Sequence, residues 1–136
     1  MKPETRAHID RAFVLLRRAR TSLTAMSQEP LMAEDAARNS YYAAFHAAKA
    51  LIFEQSNTVH KKHGSVHRAF AELVRNQPAV DAANRDFLPK AYDYKRIGDY
   101  DTGAGATISI ADAKTAVAQA EIFVEVVIKL LPPLTK

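Results

Sequence analysis

The sequence predicts an all-α protein: an antiparallel four-helix-type bundle with an additional short helix, folded as a single domain over residues 1–136. Three observations carry this. Apolar residues recur three and four apart along most of the chain instead of alternating, the pattern of helices that bury one face. Only 4 Gly and 6 Pro punctuate 136 residues, too few for the turns an all-β fold needs. Hydrophobic residues make up 48% and charged residues 25%, the balance of a chain with one core and not of a disordered one.

The elements follow in order. A first helix fits residues 3–26, where Pro3 suits an opening turn. Ile9, Phe13, Leu16 and Leu23 form its apolar line, with Arg11, Arg17 and Arg18 pointing elsewhere. A second helix fits 30–54. Its stripe is Tyr41, Ala44, Phe45, Ala48, Leu51 and Ile52, and its many alanines permit close contact with a neighbour. The polar run Gln55-Ser56-Asn57-Thr58 breaks it, and the basic stretch His60-Lys61-Lys62-His63 follows. A third helix over 65–75 buries Val66, Phe70 and either Val74 or Leu73, and Pro78 ends it. A fourth covers 79–100, with Pro89 enforcing a kink or break partway. Residues 102–106, Thr-Gly-Ala-Gly-Ala, read as a flexible loop. Ser109 with Asp112 resembles a capping box at the head of the last helix. That helix runs to Leu131 with Val117, Ala120, Phe123/Val124, Val127 and Leu130/Leu131 inward, and Pro132-Pro133 stops it.

Composition narrows the function. The absence of cysteine excludes a disulfide scaffold, a thiol nucleophile and Cys-ligated metal. No apolar run approaches the roughly 18 residues of a membrane span, and the first residues carry neither a signal core nor a myristoylation glycine. A cytoplasmic protein away from the membrane is expected. The net charge of +4 and a pI near 9.4 suit an anionic partner without establishing one.

The most informative segment is Arg38-Asn39-Ser40-Tyr41-Tyr42-Ala43-Ala44-Phe45-His46 in the second helix. Side chains four apart lie about 40° apart around a helix, so Arg38, Tyr42 and His46 climb one flank while Tyr41, Phe45 and Ala48 turn to the core. Asn39 and Lys49 lie near that flank. Polar groups on an otherwise apolar helix need a buried network, a subunit interface or a ligand cleft. Arg38 offers charge for a phosphate, Tyr42 can stack or donate, and His46 can move a proton near neutral pH. The plainer alternative pairs Arg38 and His46 with acidic neighbours such as Asp35 or Asp99.

Two further clusters are weaker. Lys61, Lys62 and His63 form either a plain basic helix entry or an anion contact at a helix N-terminus. His63 and His67, four apart, share a helix face, but no third ligand at matching spacing is evident, so no metal is expected. Arg96 pairs with Asp99 or reaches the Arg38 region from a facing helix. Arg17, Arg18 and Arg20 read as a solvated face, with RNA contact as the minority reading. The glycines of the 102–106 loop lack the strand and the Gly-Lys-Ser/Thr of a phosphate-binding loop.

Residues 38–51, Arg-Asn-Ser-Tyr-Tyr-Ala-Ala-Phe-His-Ala-Ala-Lys-Ala-Leu, resemble the signature helix of HEPN-domain proteins, most of all the small stand-alone prokaryotic branch. Lys62-His63-Gly64-Ser65-Val66 resembles that family's Lys-x-His-Ser-Gly-Val element with Gly and Ser exchanged, and Arg96-x-x-Asp99-Tyr100 resembles its later Arg-x-x-Asp-Tyr. The resemblance implies a helical bundle that dimerises through the signature helices. It implies a metal-independent endoribonuclease toxin of a toxin–antitoxin pair, without a cofactor, that acts on RNA. Arg38 and His46 take the catalytic positions, and Asn39, Tyr42, Lys61, Lys62, His63 and Arg96 are the substrate-binding candidates. The alternative implied is a non-catalytic nucleotide- or substrate-binding partner of a minimal nucleotidyltransferase, which would be the antitoxin. Seven residues separate Arg38 from His46, one more than the family's Arg-x(4–6)-His interval, which displaces His46 by about 80° around a regular helix.

Overall fold

The computed structural model describes residues 1–25, 32–100 and 108–133, without the side chains of 97–100. The expected helix limits at residues 26 and 30, the 102–106 loop, and the side chains of Asp99 and Tyr100 lie outside the described residues.

The fold is all-α, with no strand among the described residues. Six helices follow one another: α1 (Pro3–Ala25), α2 (Met32–Ser56), α3 (His63–Val74), α4 (Ala82–Arg85), α5 (Phe87–Tyr100) and α6 (Ile110–Leu130). α2 is the central helix, in contact with α1, α3, α5 and α6. Its alanines explain this position. Ala33, Ala36, Ala37, Ala43, Ala44, Ala47, Ala48 and Ala50 are all buried, and side chains this small let several helices approach one axis.

α1 lies antiparallel to α2. Its N-terminus is tied to the far end of α2, where the Lys2 Nζ donates to the Glu54 carbonyl and to Asn57 Oδ1, each at 2.8 Å. A lysine at the last carbonyls satisfies groups that a helix end leaves orphaned. Asn57 takes the left-handed conformation that turns the chain out of α2 (φ 57°). At the other end Ala19 of α1 packs with Ala33, Ala36 and Ala37 of α2 and with Ala113, Ala116 and Val117 of α6.

Two expectations are corrected here. The fourth predicted helix is two, and the break falls at Asp86, not at Pro89. Asp81 caps α4 by accepting from the Asn84 N–H at 3.0 Å, and the Asp86 N–H closes onto the Ala82 carbonyl at 3.0 Å. Pro89 then sits in the first turn of α5, where its missing N–H costs nothing. On α1 the buried line is Thr5, Ile9, Ala12, Leu15, Leu16 and Ala19, and Phe13 is 44% exposed. The smaller Ala12 faces α2 instead, because the close alanine seam leaves no room for a ring. The capping residue of α6 is as expected, with Ser109 Oγ accepting from the Asp112 N–H at 3.0 Å.

Candidate functional site: a basic groove between α1 and α2

Arg38, Asn39, Tyr42 and His46 rise along the flank of α2 that faces α1. With Arg11, Leu15 and Arg18 of α1 they line an open groove of about 310 Å³. The helical periods match: 11, 15 and 18 are four and three apart on one helix, as 38, 42 and 46 are four apart on the other. The 80° between Arg38 and His46 is an arc that a groove bounded by a second helix can take in. Leu15, buried, forms its apolar floor. The Arg38 guanidinium lies 5.8 Å from the centre of the Tyr42 ring, a cation–π contact that fixes its direction. Among the described residues three guanidiniums and no carboxylate line the groove. A second hollow, lined by Val14, Arg17, Arg18, Thr21, Ser22 and Asn39, adjoins it and shares Arg18 and Asn39. Arg18 is exposed at the junction of the two hollows, while Arg20 pairs with Glu121 of α6.

Among the described residues the contact of His46 is with His8 and not with an acidic neighbour. Their Nδ1 atoms are 3.0 Å apart, and the two rings stack with centroids 5.2 Å apart. Burial first, then the positive potential of His8, Lys49 and Arg11, lowers the His46 pKa to about 4. The His8 pKa is lowered too, by burial and then by Lys49. Both imidazoles are therefore neutral at pH 7. Lys49 lies 5.4 Å from the centre of the Phe45 ring, one turn beyond His46.

Behind the groove lies an aromatic cluster. Tyr41 is fully buried and its hydroxyl sits 2.7 Å from His63 Nδ1 and 2.8 Å from His67 Nε2. One hydroxyl proton serves one imidazole, so the other imidazole donates to the phenol oxygen. His63 also stacks on Phe45 at 4.5 Å between centroids and meets the edge of Tyr42 at 6.0 Å. His63 thus supports the groove wall from behind, and the His63–His67 pair is turned onto a phenol. Among the described residues no three His, Cys, Asp or Glu side chains gather as a metal-binding set. Lys61 and Lys62 are exposed just before α3. Arg96 pairs with Asp93 at 2.7 Å, one turn back on its own helix. None of these three lines the groove.

The sequence reading missed His8 and Arg11 as groove residues and gave Arg18 only as part of a solvated face with RNA contact as the minority reading. A signal was present in the i, i+3, i+7 spacing of His8, Arg11 and Leu15 beside the buried line of α1, but only the packing of α1 on α2 gives it meaning.

The neutral imidazoles carry a consequence for stability. Burial first, then the charge of His63, lowers the His67 pKa to about 4, as for His46. In the unfolded chain both titrate near 6.5. The unfolded chain therefore binds more protons between these values, so this stabilisation is complete above about pH 6.5 and lost as the pH falls toward 4. Both rings keep some solvent, so the loss is discounted to about 2 kcal/mol in all. Urea unfolding at pH 7 and pH 4.5 measures it, and His67→Gln, which cannot titrate, is expected to flatten the pH dependence.

The model of the HEPN domain matches residues 5–131 of this chain, almost the whole bundle just described. The chain belongs to the HEPN-domain family. It is also 31% identical over 97 residues to the protein named "Putative toxin MJ0605" of Methanocaldococcus jannaschii, an alignment covering 71% of this chain and 69% of that protein. No helix among the described residues is long and apolar enough to cross a membrane.

Proposed function

We propose that this chain is a toxin that cleaves RNA without a metal ion, working as a homodimer and held in check by a minimal nucleotidyltransferase antitoxin. The observation that supports it is the convergence of Arg11, Arg18, Arg38, Tyr42 and the neutral His46 on one groove. The likeness to a relative whose name calls it a toxin supports the same reading.

In this reading guanidiniums seat a backbone phosphate and Tyr42 stacks on a base. His46 takes the proton of the ribose 2′-hydroxyl as the 2′-oxygen attacks the adjacent phosphorus. Arg38 and Arg11 stabilise charge on the equatorial oxygens as the bond to the 5′-oxygen breaks. The products are a 2′,3′-cyclic phosphate and a 5′-hydroxyl. A resting pKa near 4 makes His46 a weak base in the empty groove. A seated phosphate offsets the Arg11 charge, and the imidazole becomes more basic when substrate is present.

Chelator-treated protein is expected to cut labelled single-stranded RNA and to leave those two termini. Intact RNA at stoichiometric protein, or cutting that returns only with added metal, overturns the proposal. The seven-residue interval between Arg38 and His46 favours a second reading, in which the groove binds RNA or a nucleotide for a nucleotidyltransferase partner without cutting. Saturable binding with no cleavage is its signature.

A further inference from the structure

Two imidazoles facing each other through the same ring atom constrain where protons sit. The His8 and His46 Nδ1 atoms, 3.0 Å apart, form a hydrogen bond only when one of them carries a hydrogen and the other a lone pair. The choice between the two arrangements fixes the chemistry of the His46 nitrogen left to the groove. If His8 donates, His46 accepts at Nδ1 and presents an N–H at Nε2. If His46 donates, it presents a bare Nε2.

The surroundings select the second arrangement. His46 shares its groove with Arg11, Arg18 and Arg38, and a guanidinium only donates hydrogen bonds. A lone pair at Nε2 is attracted by these groups, whereas an N–H is opposed by them. His8 lies away from that groove and lines a separate small hollow with Lys49, Thr58 and His60. Among the described residues the charged and titratable groups around the pair are Arg11 and Arg18 on α1, Arg38, Tyr42 and Lys49 on α2, and His60 ahead of α3. No carboxylate is among them. The role that a buried carboxylate plays behind many catalytic histidines therefore falls to a neutral imidazole.

We propose that His8 is a positioning residue that accepts the His46 Nδ1 hydrogen, holds His46 in the tautomer with Nε2 bare toward the groove, and takes up the Nδ1 proton when Nε2 gains one. This rests on the proposed function for its catalytic part. The proton balance is closed. The 2′-hydroxyl proton bonds to His46 Nε2, the His46 Nδ1 proton shifts to His8 Nδ1, and the positive charge moves to His8, one ring further from Arg38. When the 5′-oxygen leaves it takes the Nε2 proton, and the His8 proton returns to His46 Nδ1. One groove histidine thus serves as base and then as acid.

The direct test needs no substrate. Nitrogen-15 NMR of the imidazoles in the whole protein is expected to show His46 mainly as the Nδ1–H tautomer, and His8→Ala is expected to return it to the Nε2–H form that free imidazole prefers. Unchanged His46 tautomers in His8→Ala overturn the inference, whether or not the protein cuts RNA. Should His8→Ala fail to fold, His8→Asp tests the same contact with an anionic acceptor and must raise the His46 pKa by more than one unit; an unmoved pKa also overturns it. In the RNA assay, His8→Ala is expected to lower kcat about tenfold or more with KM within twofold. His8→Asp is expected to shift the acid limb of the pH–rate profile upward. A His46 tautomer that does not respond to His8 defeats the inference about His8, whereas intact RNA with the tautomer shift present defeats the proposed function alone.

Discussion

Alanine at position 46 is expected to reduce cleavage of single-stranded RNA by roughly a hundred- to ten-thousand-fold, the range that removal of a positioned general base produces. The ring does two things in the groove: it presents a neutral nitrogen beside three guanidiniums, and its other nitrogen is held by His8. Arg38→Ala is expected to cost about a hundredfold or more, as loss of a group that stabilises transition-state charge does. Arg38→Lys keeps the charge but loses the planar fork and its stacking on Tyr42, so it is expected to recover only part of the rate. Neither side chain is in the buried core, so circular dichroism and thermal melting should stay close to the parent chain. Steady-state kinetics on a labelled oligonucleotide reads all three variants. A His46→Ala protein that cuts at the parental rate removes His46 from the reaction.

The largest loss of stability is expected from Phe123→Ala. Phe123 is fully buried on α6, with ring centroids 5.0 Å from Phe70 of α3 and 5.7 Å from Phe87 at the start of α5. One ring therefore touches aromatic rings of two other helices within the common core. Truncation removes its burial energy and leaves a cavity that rigid helices fill poorly, a cost of about 3–5 kcal/mol. Denaturant unfolding measures this as a fall in midpoint with little change in slope. The groove lies between α1 and α2, away from this ring, so RNA binding by the folded fraction should persist.

Much of this architecture was legible in the residues. Tyr41 and Phe45 turn inward and Arg38, Tyr42 and His46 share a flank because the helical period decides the angles between side chains four apart. Helix periods also placed Val66 and Phe70 in the core and left Val74 and Leu73 as alternatives, of which Val74 is the fully buried one, and the turn chemistry of Ser109 marked the head of α6. Two local rules misled. Phe13 fits the apolar line of α1 by spacing, but the close alanine seam with α2 selects Ala12. Pro89 breaks a helix in its interior and is harmless in a first turn, and only the Asp81 and Asp86 contacts reveal which position it holds.

Periodicity along one helix determined which face each side chain occupies, and with it the all-α fold and the polar flank. The partners of that flank are a matter of how two helices dock. His8 is 38 residues from His46 in sequence and 3.0 Å from it in space. Arg11 and Arg18 enter the groove only because α1 lies antiparallel on α2 with a particular register and rotation. Those depend on the summed fit of Ala12, Ala19 and the α2 alanines, a long-range packing balance that no local pattern encodes. For the same reason the ordinary imidazole of the sequence becomes a neutral one, since burial and neighbouring cations set its pKa and both are properties of the assembled bundle.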